Sequence, residues 1–137
     1  MNSREAPEPV LIEVVREEVA TDDPIDRRAL RIAELVRTHM GRRRVGIHRI
    51  DGDEVASLAW SGPAARAYPR LPADRGLTGA SIASRSSVVS NDVAIIPILR
   101  EGRVVGALYV EDERPGAFDH RQLGLLEQIA GALTTLY

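Results

Sequence analysis

The feature that most restricts the fold is a pair of apolar runs near the C-terminal end, AIIPILREG (94–102) and RVVGALYV (103–110), joined through Glu101-Gly102. Apolar stretches of this length broken by a Gly-containing turn read as paired strands. Val104 to Val110 contains no charged residue, as expected of a strand covered on both faces. The rest of the chain must therefore supply cover for two sides of one sheet.

Further strands are readable upstream. VGIHRI (45–50) and EVASLAW (54–60) change to a period near two and flank Asp51-Gly52-Asp53, which predicts a hairpin. Val88-Val89 predicts a short strand. Ser61 to Arg75, punctuated by Pro63, Pro69 and Pro72 and followed by Gly76, reads as loop with a short edge strand around Ala67-Tyr68.

Helices are expected to provide the cover. Asp23-Pro24 offers an N-cap followed by Pro at the first helical position. The apolar stripe Ile25, Ala29, Ile32, Ala33, Val36, Met40 then ends at Gly41 and three arginines. Val10 to Val19 fits strand or helix, and the spacing of Leu11, Val15 and Val19 favours helix. Leu77 to Ser84 suits a short helix. At the C-terminal end Asp119 can cap a helix, with Gln122 completing a capping box and Phe118 stapling to Leu123. That helix carries two apolar rows, Leu123-Leu126-Ala130-Leu133 and Leu125-Ile129-Ala132-Leu136, a face wider than one sheet contact needs. Either the first helix covers the excess, or a second subunit docks on Leu125, Ile129, Ala132 and Leu136 as a homodimer.

Composition narrows the chemistry. The 137 residues suffice for one domain, read as a leader or possible helix over 1–22 and a domain over 23–137. A net charge of −2 argues against nucleic acid or an anionic membrane as partner. All 18 basic residues are Arg, and Cys is absent. There is thus no P-loop or Schiff-base lysine, no thiol nucleophile, no disulfide and no thiolate metal site. The N-terminus MNSREAPEP lacks an apolar targeting core, and the chain is expected to be cytoplasmic, its Arg-only, Ala-rich composition pointing to a GC-rich bacterial genome.

RGLTGASIASRSSVVSNDV (75–93) followed by IPILREGRVVGALYVEDERPGAFDHRQLGLLEQIAGAL (96–133) resembles the second half of a GAF domain. The resemblance implies an α+β fold related to PAS domains. Its central antiparallel sheet would have five or six strands, with the N- and C-terminal helices on one face and a ligand pocket or its remnant on the other. It also implies a sensory or regulatory module in signal transduction. Such a module binds a small molecule, signals through helix-mediated homodimerisation to a separate effector protein, or serves as a ligand-free interaction scaffold. Free methionine-R-sulfoxide reductases and bilin-binding members of this family depend on cysteines, and no acid, base and nucleophile set converges in the sequence, so the chain is expected not to be an enzyme. The loop that lids the ligand in the family is shortened here, because Asn91-Asp92-Val93 runs directly into Ala94-Ile95-Ile96-Pro97.

Strand alternation places Val105, Ala107, Tyr109 and Glu111 on the ligand face and Val104, Gly106, Leu108 and Val110 on the helix face. Candidate ligand contacts are Trp60, Arg75, Thr78, Ser81, Tyr109 and Glu111; no cofactor is identified. His48 is expected to face solvent, and Arg42-Arg43-Arg44 to form a hydrated helix end. Glu111-Asp112-Glu113 and Asp51-Asp53-Glu54 read as solvated turns, and no residue set has metal-ligand spacing.

Overall fold

The computed structural model describes residues 8–63 and 70–137. In chain order the elements are α1 (Glu8–Val19), α2 (Ile25–Met40), β1 (Arg44–Asp51), β2 (Glu54–Ser61), β3 (Arg70–Pro72), α3 (Gly76–Ser84), β4 (Val88–Ser90), β5 (Val93–Arg100), β6 (Arg103–Glu111), α4 (His120–Ala132) and a final 3₁₀ turn, Thr134–Leu136. The expected edge strand at Ala67-Tyr68 and residues 1–7 of the leader lie outside the described residues.

The six strands form one antiparallel sheet in the order β3-β2-β1-β6-β5-β4. Strands β1 and β6 are central, which for β6 agrees with the uncharged run 104–110. Val45 and Ile47 of β1, Ala94, Ile96 and Ile98 of β5, and Leu108 and Val110 of β6 share one face and join the helices in a single core. Helix α2 covers β1 and β2, α4 covers β5, and α1 bridges α2 and α4. Leu11, Val15 and Val19 of α1 are buried in that core.

The wide face of α4 is therefore covered from within the chain. Leu125, Ile129 and Leu136 are buried and Ala132 is partly buried against the same core. These four side chains give no support to a docked partner helix.

Local signals differ at the two main helix starts. Asp119 caps α4 as expected, accepting from the Gln122 backbone N–H at 2.8 Å. The Gln122 side chain does not complete a capping box, because its Oε1 accepts from Arg42. At α2 the expected Asp23 cap is corrected. Pro24 is the N-cap, the helix begins at Ile25 without a side-chain cap, and the Asp23 carboxylate accepts from Arg31 instead. An Arg one turn or more into the helix offers a charge-assisted bond that a neutral backbone N–H does not match.

Candidate functional site

The sheet face opposite α1, α2 and α4 carries a cavity of about 240 Å³. Its floor comes from three neighbouring strands, with His48 of β1, Trp60 of β2 and Tyr109 of β6 meeting there. Gly46 is the reason they can meet. It pairs with Trp60 on one side and Tyr109 on the other, and a Cβ on it would lie 2.8 Å from the indole ring. Two large rings lean over this gap in the side-chain row and touch edge to face, with centroids 4.8 Å apart. His48 adds an edge contact to Trp60 at 5.1 Å and a stacked one to Tyr109 at 6.3 Å. Both arrangements suit the ring quadrupoles.

The walls are apolar, from Val55, Leu71, Val93 and Ile95. The start of α3 closes one end with Arg75, Gly76, Leu77 and Thr78. The first bond of this helix runs from Gly79 N–H to the Arg75 carbonyl, so the N–H groups before Gly79 have no intrahelical acceptor. With Thr78 they make this end of the cavity receptive to negative charge; the Arg75 guanidinium is largely exposed, 3.9 Å from the Asp74 carboxylate.

Four of the six candidate contacts, Trp60, Arg75, Thr78 and Tyr109, line this cavity. Two do not. Ser81 is fully buried and donates to the Ser86 carbonyl at 2.8 Å, tying off the end of α3. Glu111 lies past Tyr109 at the end of β6. Its Oε1 accepts from the Tyr109 hydroxyl at 3.1 Å and its Oε2 from Arg44 Nε at 2.6 Å, so it fixes the Tyr109 ring rather than facing the cavity.

His48 is a residue that the sequence reading misplaced. Alternation correctly set it on the face opposite Ile47, but that face is roofed and the imidazole is buried. The expected lid before β5 is indeed missing, since β4 ends at Ser90 and β5 begins at Val93. Cover comes instead from α3 and β3.

Two charge runs expected to be hydrated are also corrected. Arg42 is buried, its Nη1 donating to Asp112 at 3.1 Å and its Nη2 to Gln122 Oε1 at 2.6 Å, with the Phe118 ring 5.0 Å from the guanidinium carbon. Asp112 is buried with it. Burial by itself would raise the Asp112 pKa, but hydrogen bonds from the Arg114 side chain and backbone and from Arg42 outweigh it and lower the value to about 2. A buried guanidinium needs such a partner. This cluster joins the end of α2, the end of β6 and the start of α4 beside the cavity floor. Among the described residues no group of His, Asp or Glu side chains has the arrangement of a metal site. No helix among them is long and apolar enough to cross a membrane.

Solved structures share this architecture. The free methionine-R-sulfoxide reductase of Neisseria meningitidis, in complex with its substrate, superposes with a TM-score of 0.85 at 21% identity, over 99% of this chain and 91% of that one. The GAF domain of an Acinetobacter phosphoenolpyruvate-protein phosphotransferase gives 0.83 at 14% identity, over 99% and 93%. The type II free methionine-R-sulfoxide reductase of Thermoplasma acidophilum gives 0.74 at 14% identity, over 92% and 93%. No curated protein matches the sequence.

These neighbours correct the expectation that the chain is not an enzyme. Two of the three are enzymes, so the fold itself carries catalysis. Lack of cysteine and of short linear motifs excludes only the chemistries that need them, whereas catalytic sets are assembled from residues far apart in the chain. The GAF domain description matches residues 23–136, the span that contains the sheet, the cavity and α4, and the chain belongs to the GAF domain family.

Proposed function

We propose that this GAF domain is a sensory module whose cavity takes a compact ligand with an apolar body and one anionic end. The observation that carries this reading is the pairing of an aromatic floor, His48, Trp60 and Tyr109, with a polar end made by Arg75, Thr78 and the start of α3. An apolar enclosure with a few convergent polar groups is the usual build of a small-molecule site. Free methionine-R-sulfoxide, named for the Neisseria protein, is a first compound to try. The chain contains no cysteine and supplies no thiol of its own to reduce it.

Trp60 is the only tryptophan and reports directly on the cavity. Titration with methionine sulfoxide, free amino acids and small carboxylates is expected to change its fluorescence, and a compound that does so is expected to raise the melting temperature. No change with any of them at millimolar concentration overturns the reading. The volume of about 240 Å³, below the roughly 300–1,000 Å³ of most ligand sites, favours a second reading, a ligand-free interaction scaffold, and that result would select it.

Homodimerisation remains part of the proposal, moved to the outer surface of α1 and α2. There Val10 and Leu30 are exposed, and Val14 and Leu35 line a shallow groove. Sedimentation of the wild type and of a Leu30→Glu variant tests it; a wild-type monomer at high micromolar concentration removes it.

A further inference from the structure

The two central strands separate at the end of the sheet remote from Arg44. Pairing of β1 with β6 runs from Arg44–Glu111 to Arg49–Gly106 and stops there, although β1 continues to Asp51 and β6 begins at Arg103. A β-bulge accounts for the parting. On β6, Gly106 faces Ile98 and Val104 faces Leu99, which leaves Val105 as the additional residue. A bulge bends its strand and interrupts the adjacent ladder.

The parting leaves a notch with a volume of about 730 Å³. Ile25, Ile50, Val104 and Val105 give it an apolar lining, Arg49, Arg100 and Arg103 stand around it with Glu101 as the acidic side chain among the described lining residues, and Tyr137 closes one side. Arg100 donates to the Tyr137 carbonyl at 2.9 Å. Arg49 adds its charge to that of Arg70 in holding the Asp51 carboxyl below its usual range. Asp51, adjacent to this rim, is held by Arg70 Nη1 at 2.8 Å. In a chain of net charge −2 this is a local reversal of sign.

Both walls of the notch are strand edges. Two-residue turns link Asp51 to Glu54 and Arg100 to Arg103. In such hairpins the residues flanking the turn bond to each other, and the next residue outward directs its N–H and C=O away from the hairpin. Those next residues are Ile50 and Val104, so each strand turns one set of backbone groups toward the space the other has vacated.

We propose that this notch is a docking site for an extended acidic peptide. Main-chain bonds along the Ile50 or Val104 edge would add it to the sheet, as in other strand-addition modes. Alternate carboxylates would meet Arg49, Arg100 and Arg103, and the intervening apolar side chains would rest on Ile50, Val104 and Val105. Open, cation-rimmed strand edges and an apolar floor together fit a peptide better than a small anion, which would use only the rim. The site is separate from the cavity on the opposite face, and its test does not depend on the ligand there.

The probe is a fluorescein-labelled heptapeptide of alternating Glu and Val, titrated into the full chain and followed by anisotropy. The expected result is saturable binding that weakens with added salt and at least about tenfold in Arg49→Glu/Arg103→Glu. A Lys-Val peptide and the Glu-Val peptide N-methylated at every residue are expected not to bind. Absence of binding by the Glu-Val peptide, equal binding by the Lys-Val peptide, or undiminished binding by the charge-reversed variant overturns the proposal. Equal binding by the N-methylated peptide, or full displacement by low concentrations of pyrophosphate, replaces it with a simple anion site. Should the variant fail to fold, hydrogen exchange on the wild type decides. The Ile50 amide, the Val104 amide or both are expected to exchange at least about tenfold more slowly with saturating Glu-Val peptide, and unchanged rates at both overturn the proposal.

Discussion

The phenolic hydroxyl of Tyr137 donates a hydrogen bond to the backbone carbonyl of His48. The last residue of the chain is thereby fastened to the strand whose His48 imidazole forms part of the cavity floor on the other side of the sheet. The contact depends on Gly106, where a Cβ would lie 2.2 Å from the Tyr137 oxygen and 2.4 Å from the His48 carbonyl. Tyr137→Phe leaves that carbonyl without this donor and is expected to cost about 1–3 kcal/mol in urea unfolding. Gly106→Ala is expected to cost about 2 kcal/mol or more, because neither neighbour can retreat without breaking the bond.

Burial raises the Tyr137 pKa above its ordinary 10.0. The folded state therefore holds the phenol proton more tightly than the unfolded state does. Its contribution is complete below pH 10.0 and declines as the pH rises above that value. Stability measured across the alkaline range is expected to fall more steeply in the wild type than in Tyr137→Phe; parallel curves would contradict the assignment.

Asp112 acts at the opposite end of the pH scale. Its pKa is lowered from 3.8 to about 2, so its stabilising effect is present above 3.8 and is lost as pH falls through the folded value. The difference corresponds to roughly 2 kcal/mol. Asp112→Asn leaves Arg42 buried beside a neutral amide and is expected to cost about 3 kcal/mol or more at neutral pH. It should also flatten the acid limb of the stability profile.

Gly46→Ala tests the packing of the cavity floor. The added methyl group would displace the Trp60 ring, and the expected result is a changed near-ultraviolet dichroism and tryptophan emission with the fold retained. Any compound found to bind beside Trp60 should bind about tenfold more weakly to this variant. A variant with native spectra and native affinity would show that the indole does not depend on the gap.

Leu126 is fully buried between α4 and the sheet, and Leu77 at the cavity mouth is partly exposed. Leu126→Ala is expected to cost about 2–5 kcal/mol, whereas Leu77→Ala should stay within about 0.5 kcal/mol while altering ligand affinity. Guanidinium unfolding of both variants, read beside Trp60 titrations, separates the core role from the site role.

What was legible in the sequence was local. Asp119 and the apolar rows of α4 act within one or two turns of each other, and the hairpins are written in alternating side chains around short turns. The cavity was half legible, since Trp60, Arg75, Thr78 and Tyr109 follow from strand parity and the start of α3. His48 and Arg42 were not legible, because burial of a polar side chain is decided by what arrives from elsewhere. Arg42 meets Asp112 and Gln122 across separations of 70 and 80 residues, and the His48 ring is covered by Trp60 and Tyr109 from the two neighbouring strands, which no local pattern around position 48 announces. The notch between β1 and β6 depends on a single added residue in β6, which leaves the apolar pattern of 104–110 unchanged.

The position of α1 has a consequence for how the boundaries of this domain are understood. The family description matches from residue 23, yet Leu11, Val15 and Val19 lie before it and are buried like Ile32 and Leu126. The conserved pattern and mechanical integrity therefore draw the border in different places. A clone trimmed to the homologous stretch would strip the outer cladding from the helical layer and leave a greasy, unsealed flank, so its insolubility would say nothing about the intact molecule.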